Sequence, residues 1–148
     1  LLIGTRKTIM DTEKKGRTLD ATRVIIWAEA TVEVCHVVSH PITIHGMEGG
    51  YPMHGHSYWI KGYVKSVIPK FTTKEAPRVD PPSVEKLKKD LKESVKEVDH
   101  NCLNIHIECG TMEGLAKYVF EKLLVMKWNP IKVQIERKSL GVGAEYSR

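Results

Sequence analysis

The sequence predicts an α+β domain: a four-stranded antiparallel sheet with two helices packed on one face. Two observations lead there. Two stretches repeat apolar residues every three or four positions, as amphipathic helices do, and four others alternate or are rich in β-branched residues. Their order along the chain is strand, strand, helix, helix, strand, strand, which suits helices segregated to one side of an antiparallel sheet. The 148 residues suit one domain, and 41% hydrophobic content supplies a sizeable core. Residues 1–20, polar and Gly/Lys-rich, read as a leader or edge extension, and residues 21–148 as the single domain.

The first strand is expected between Thr22 and Val38, where RVIIWAEATVEVCHVV is rich in β-branched residues and alternates in its second half. It reads as one long strand or as two split near Ala28–Ala30. Residues 39–53 carry two prolines and three glycines and form a loop that must return the chain. HSYWIKGYVKSVI, from His56 to Ile68, is the second strand, with Tyr58, Ile60, Gly62 and Val64 sharing a face.

In SVEKLKKDLKESVKEV, Val84, Leu87, Leu91, Val95 and Val98 fit a period of 3.6 and not of 2. Ser83 can cap this helix, Pro82 stops it upstream, and Asp90 and Glu93 pair with lysines on its exposed side. The second helix is expected from Thr111 to Lys127, with Thr111 as cap and Leu115, Val119, Leu123 and Val125 as its apolar stripe. Gly114 costs it about 1 kcal/mol relative to alanine. Asn129-Pro130 ends it, IKVQIER alternates as a strand, and GVGAEYSR supplies a short final strand or ragged edge.

The formal charge of +5 is not a nucleic-acid signature, because most lysines lie among acids on the polar face of the first helix. Nor are aromatic residues interleaved with the lysine runs. No run approaches eighteen apolar residues, so no membrane span is expected, and the first residues lack a secretory pattern. Three cysteines, Cys35, Cys102 and Cys109, cannot all pair within one chain and form no CxxC, which points to a reducing, cytoplasmic setting.

His54-Gly55-His56 places two imidazoles on one side of a strand, where both reach one ion. A third nitrogen can come from His36 on the preceding strand, or from His40 or His45 in the loop; spacing alone does not rank them. Three neutral imidazoles around Zn2+ leave a coordination position open, the arrangement of catalytic zinc sites.

Five segments in register resemble the 6-pyruvoyl-tetrahydropterin synthase and 6-carboxy-tetrahydropterin synthase (queuosine-pathway) family, over about Val32 to Ile135. VEVCH is similar to the strand ending in the family's first ligand histidine, HGHSY to its HGH motif, and VDHNCLN to its Leu-Asp-His-x-x-Leu-Asn motif. TMEGLAKYVFEKL resembles the Thr-x-Glu-Asn-x-Ala helix start, and IKVQIER the last core strand. VDPPSVEKLK also aligns with the segment before the first helix. The resemblance implies a tunnelling fold (T-fold) and ligands His36, His54 and His56 for Zn2+. It further implies sheets joining into a barrel within trimers, two of which stack into a homo-hexamer with active sites between subunits. Closure of that kind would also remove the sheet's open edges.

The same resemblance gives Asp99 and His100 to a proton relay, with Asp99 orienting His100; read alone, the pair also suits a helix end. Glu136 matches the glutamate that accepts from the pterin's amino group and ring N–H, a bidentate pairing; its ordinary alternative is a strand residue paired with Lys132 or Arg137. Thr111 and Glu113 match pterin-contacting positions, and Asn104 reads as closing the turn after Leu103.

The chain departs from the family before HGH, where the usual catalytic cysteine is absent and the residues are MEGGYPM. Cys35 neighbours His36 on a strand, so it points to the other side and reads as a small buried apolar residue. Glu48 is the expected acid/base in its place, with Tyr51 and His45 as fallbacks; family members with glutamate there cleave the dihydroneopterin side chain. The expected function is therefore that of a 6-carboxy-5,6,7,8-tetrahydropterin synthase or 6-pyruvoyl-tetrahydropterin synthase-like enzyme, a zinc-assisted lyase acting on 7,8-dihydroneopterin triphosphate. The alternatives are cleavage to 6-hydroxymethyl-dihydropterin and a non-catalytic pterin-binding member.

Overall fold

A computed structural model describes residues 23–37, 53–68 and 84–148. β1 (Arg23–His36) and β2 (His54–Val67) form a long antiparallel ribbon, from Arg23 opposite Val67 to His36 opposite His54. The ladder runs unbroken through Ala28 and Ala30, so the first segment is one strand. β4 (Pro130–Arg137) pairs antiparallel with β2, with a bulge between Tyr63 and Val64, and β5 (Val142–Ser147) pairs antiparallel with β4. To these four the structure adds β3 (Asn101–Cys102), a two-residue strand parallel to β1 at Val34 and Cys35. The order among the described residues is β3-β1-β2-β4-β5. A two-residue strand has no periodicity, so the sequence offers nothing by which to find it.

The even-numbered residues of β1 and β2 face the helices. Ala28, Ala30, Val32 and Val34 are buried, as are Tyr58, Ile60 and Val64, while their odd-numbered neighbours on β1 are mostly exposed. Above this face lie α1 (Val84–Ser94) and α3 (Met112–Val125), joined through the four-residue α2 (Leu103–His106). Leu91 of α1 and Leu123 of α3 meet over Gly62, where a Cβ would stand 3.2 and 3.3 Å from their methyl carbons. Ala28 lies opposite Gly62 in the ladder, so small residues make the trough that seats both leucines. Burying each leucine contributes roughly 1.5–3 kcal/mol.

Three expectations about the helices change. α1 ends at Ser94 and not Val98, because the Ser94 hydroxyl donates to the Leu91 carbonyl at 2.6 Å and the next amides turn back by three residues, Val95 to Lys92 and Lys96 to Glu93. Val95 and Val98 are buried all the same, but from turns, while Val84 in the first turn is 47% exposed. α3 stops before Asn129-Pro130: Lys127 takes a left-handed φ of 69° and Trp128 N–H donates to the Leu123 carbonyl, closing a Schellman-type end. Val125 consequently sits on the solvent side, 74% exposed, and Phe120 and Ala116 complete the buried stripe. Gly114 is no mere penalty, since a Cβ there would lie 1.9 Å from the Cys109 carbonyl oxygen.

The expectations for residues 1–20, for residues 39–52 of the loop with His40, His45, Glu48 and Tyr51, and for the Ser83 cap lie outside the described residues.

Candidate metal centre

The core-facing side of the β1–β2 ribbon changes chemistry at one end. After Val32, Val34, Tyr58 and Ile60, the same parity brings in His36, His54 and His56. His36 and His54 are cross-strand partners, and His56 is two residues further on the same face, which is why HxH with a partner strand gathers three rings. Their centroids lie 4.5, 5.0 and 4.6 Å apart. Nε2 of His36 is 3.0 Å from Nε2 of His54 and 3.2 Å from Nε2 of His56.

These three donors fit a divalent ion. Nitrogens bound tetrahedrally to zinc at about 2.0–2.1 Å stand roughly 3.3 Å apart, close to the observed spacings. His36, 7% exposed, donates from Nδ1 to the Gly110 carbonyl, which leaves its Nε2 lone pair facing the cluster. Burial lowers the pKa of His56 to about 4, helped by the charge of Arg137 and by the other two imidazoles, so its ring is neutral and able to ligate near pH 7. Nδ1 of His56 is buried and finds no partner among the described residues. His36, His54 and His56 are thus a cluster able to chelate a metal ion.

Thr111 and Glu113 belong to the loop and helix start beside this cluster. Thr111 Oγ1 accepts from Gly114 N–H at 3.4 Å, capping α3, and lies 3.1 Å from Cys109 Sγ. A hydrogen bond from the Thr111 side chain, with one from the backbone, holds the Glu113 carboxyl below the usual carboxylate range. Buried Tyr58 packs 5.5 Å from the His56 ring. Burial raises its phenol, Arg137 opposes that shift and Glu113 adds to it. Arg137 was not singled out for this site by sequence; its odd number on β4 gives it the parity of Val133 and Ile135, and that alternation was the available signal.

Asp99, His100 and Glu136 are placed elsewhere within the chain. Asp99 Oδ1 accepts from the Glu33 amide at 3.0 Å and lies 3.1 Å from His100 Nδ1. His100, at a φ of 56°, donates its amide to the Glu33 carbonyl, so the pair is fastened to β1 and does more than end a helix. His100 borders a shallow depression with Glu33, Cys35, Gly55 and Ser57, whose parity turns them away from the core, as well as with Val34 and His56. Glu136, exposed and opposite Trp59, shares that outward parity. It lines a second depression with Lys138 and Gly143. Lys132, a partner expected for Glu136, instead forms an ion pair with Glu145 at 3.2 Å, and Glu145 also accepts a hydrogen bond from Gln134 at 2.8 Å.

Cys35 keeps the outward parity its position implies, but is half-buried; burial and the neighbouring Cys102 thiol push its pKa up. All three cysteines are free thiols. Asn104 does not close the turn after Leu103: its amide reaches Val37, 67 residues away. No helix among the described residues is long and apolar enough to cross a membrane.

The described residues form a mixed α+β sheet carrying a histidine cluster able to hold a metal. In particular the chain is similar to the structure of 6-pyruvoyl tetrahydropterin synthase from Caenorhabditis elegans, with a TM-score of 0.62 at 23% identity, covering 86% of this chain and 97% of that one. The Plasmodium falciparum 6-pyruvoyl tetrahydropterin synthase structure also matches, with a TM-score of 0.49 at 12% identity over 86% and 99% of the two chains, and the likeness of fold rests on the first. No protein-family model and no curated protein sequence matches the chain.

Proposed function

We propose that this chain is a subunit of a zinc-dependent pterin lyase acting on 7,8-dihydroneopterin triphosphate, of the 6-carboxy- or 6-pyruvoyl-tetrahydropterin synthase type. The observation that carries the reading is the convergence of one ring nitrogen each from His36, His54 and His56 within 4.8 Å of one another. The shared fold and the motifs around His36, His54, His100, Thr111 and Glu136 support it. His36, His54 and His56 would hold a zinc ion, which would supply Lewis acidity toward a hydroxyl or carbonyl oxygen of the substrate side chain.

The chain's own residues do the rest. His100 carries the proton, oriented by Asp99, which stays fixed through the Glu33 amide. Thr111 and Glu113 present a hydroxyl and an ionised carboxylate to the polar edge of the pterin, and Glu136 accepts from its amino group and ring N–H. The proposed homo-hexamer, a dimer of trimers with barrel-closed sheets, reconciles these roles with their outward placement: Asp99, His100 and Glu136 of one copy would serve a site shared with another. Glu48 takes the place of the missing cysteine as acid/base. No nucleic acid or membrane partner is part of the proposal, and its setting is the cytoplasm.

Glutamate instead of cysteine also favours a second reading, cleavage of dihydroneopterin to 6-hydroxymethyl-dihydropterin. Incubating zinc-loaded and chelator-stripped protein with each substrate, with mass-spectrometric identification of products, decides between them. Zinc-dependent turnover of 7,8-dihydroneopterin triphosphate supports the proposal, and zinc-dependent cleavage of dihydroneopterin alone supports the second reading. A zinc-loaded protein inert toward both leaves the non-catalytic pterin-binding alternative.

A further inference from the structure

We infer that Asn104 is a positioning residue of the three-histidine centre: it clamps the chain just after His36 and seats the carbonyl that fixes the His36 ring. The inference rests on the metal-binding reading above and deepens it. The Asn104 side chain makes a paired contact with a single residue, accepting from Val37 N–H at 2.8 Å and donating to the Val37 carbonyl at 3.1 Å. That pair reproduces a rung of a β-ladder. It falls where the real ladders have ended, since β3 pairs only to Cys35 and β2 only to His36. His36 is therefore held between the last true rungs and one supplied by an amide side chain.

The same amide also meets the other end of the His36 ring. A Cβ built on Gly110 would stand 2.8 Å from Asn104 Nδ2 and 2.9 Å from its Cγ, so the side chain packs against bare backbone at Gly110. The Gly110 carbonyl is the acceptor for His36 Nδ1. One side chain thus touches both the peptide that follows His36 and the residue that selects the tautomer with a free Nε2. The Asn101 side chain, three residues earlier, makes only local hydrogen bonds among the described residues, accepting from Cys102 N–H at 2.9 Å and donating to the Glu97 carbonyl at 3.5 Å, which makes it a matched control.

Asn104→Asp keeps the size but sets a carboxylate oxygen against the Val37 carbonyl. Zinc affinity is expected to fall about tenfold or more, and ring 15N shifts of apo His36 to leave the pure Nδ1–H form. Gly110→Ala, which displaces the amide from the opposite side, should do the same, and Asn101→Asp should leave both readouts within error. Should Asn104→Asp not fold, Gly110→Ala carries the test. Unchanged zinc affinity and unchanged His36 tautomer in the folded variants would overturn the inference. Wild-type protein that binds no zinc, or whose zinc binding is unaffected by His54→Ala, would sink the metal reading instead, and the tautomer measurement would still decide for or against Asn104.

Discussion

The two faces of the β1–β2 ribbon are built from the same strands and follow different rules. The core-facing side runs from Ala28 and Ile60 into His36, His54 and His56, and key points along it are fixed by something distant: Gly62 by the helix leucines, His36 by the Gly110 carbonyl, and the backbone just after His36 by the Asn104 amide. On the outward side, Lys61 lies 3.8 Å from the Trp27 ring centroid and 3.5 Å from Glu29, and Ser57 donates to Glu33 at 2.7 Å. These are neighbour-to-neighbour contacts, open to water. Metal binding, which depends on exact placement, has the buried face to use, whereas pairs such as Lys61 with Glu29 and Ser57 with Glu33 on the exposed face tolerate change.

The largest expected effect that would sharpen this contrast is at the rings. His54→Ala should abolish stoichiometric zinc retention after dialysis, a greater loss than the roughly 10–100-fold in affinity caused by disturbing an outer partner; elemental analysis reads it. Next comes Gly114→Ala at the start of α3. Helix propensity favours alanine by about 1 kcal/mol, but the clash with the Cys109 carbonyl should leave a net loss of about 2 kcal/mol, measured by urea unfolding.

Acid should distinguish the faces more mildly. The His56 pKa is about 4 in the folded chain against 6.5 ordinarily, so between these values the unfolded chain holds a proton that the folded one lacks. Its contribution to stability is intact above pH 6.5 and lost as pH falls toward 4. The urea midpoint of the metal-free protein should drop across that window, and drop less in His56→Asn. Smallest is Lys61→Met, which removes a cation–π contact and an exposed ion pair; its cost should not exceed about 1 kcal/mol, and a larger loss would break the contrast.

Much of the buried face was legible in the sequence because alternation is its signature. Tyr58, Ile60, Gly62 and Val64 share a side as their spacing requires, and the same period-2 logic brings His54 and His56 together. The pairing of His36 with His54 needed the register of the ribbon, which resemblance suggested and spacing could not rank. What escaped was set by single long-range contacts. Asn104 looks like a local turn residue until Val37 is placed beside it, and Gly114 looks like a flaw until Cys109 is. Val84 and Val125 fit a helical stripe but fall at helix ends, where the period no longer meets the core. Asp99 and His100 were found as a pair, yet no pattern in the chain says which face they attend.

X-ray absorption at the zinc edge tests the central claim most directly. Zinc-loaded protein should show three imidazole nitrogens at about 2.0–2.1 Å and no sulfur, with one imidazole fewer in His56→Ala. A sulfur scatterer near 2.3 Å, or a spectrum indifferent to that substitution, would place the metal on a cysteine or on the surface and contradict the account.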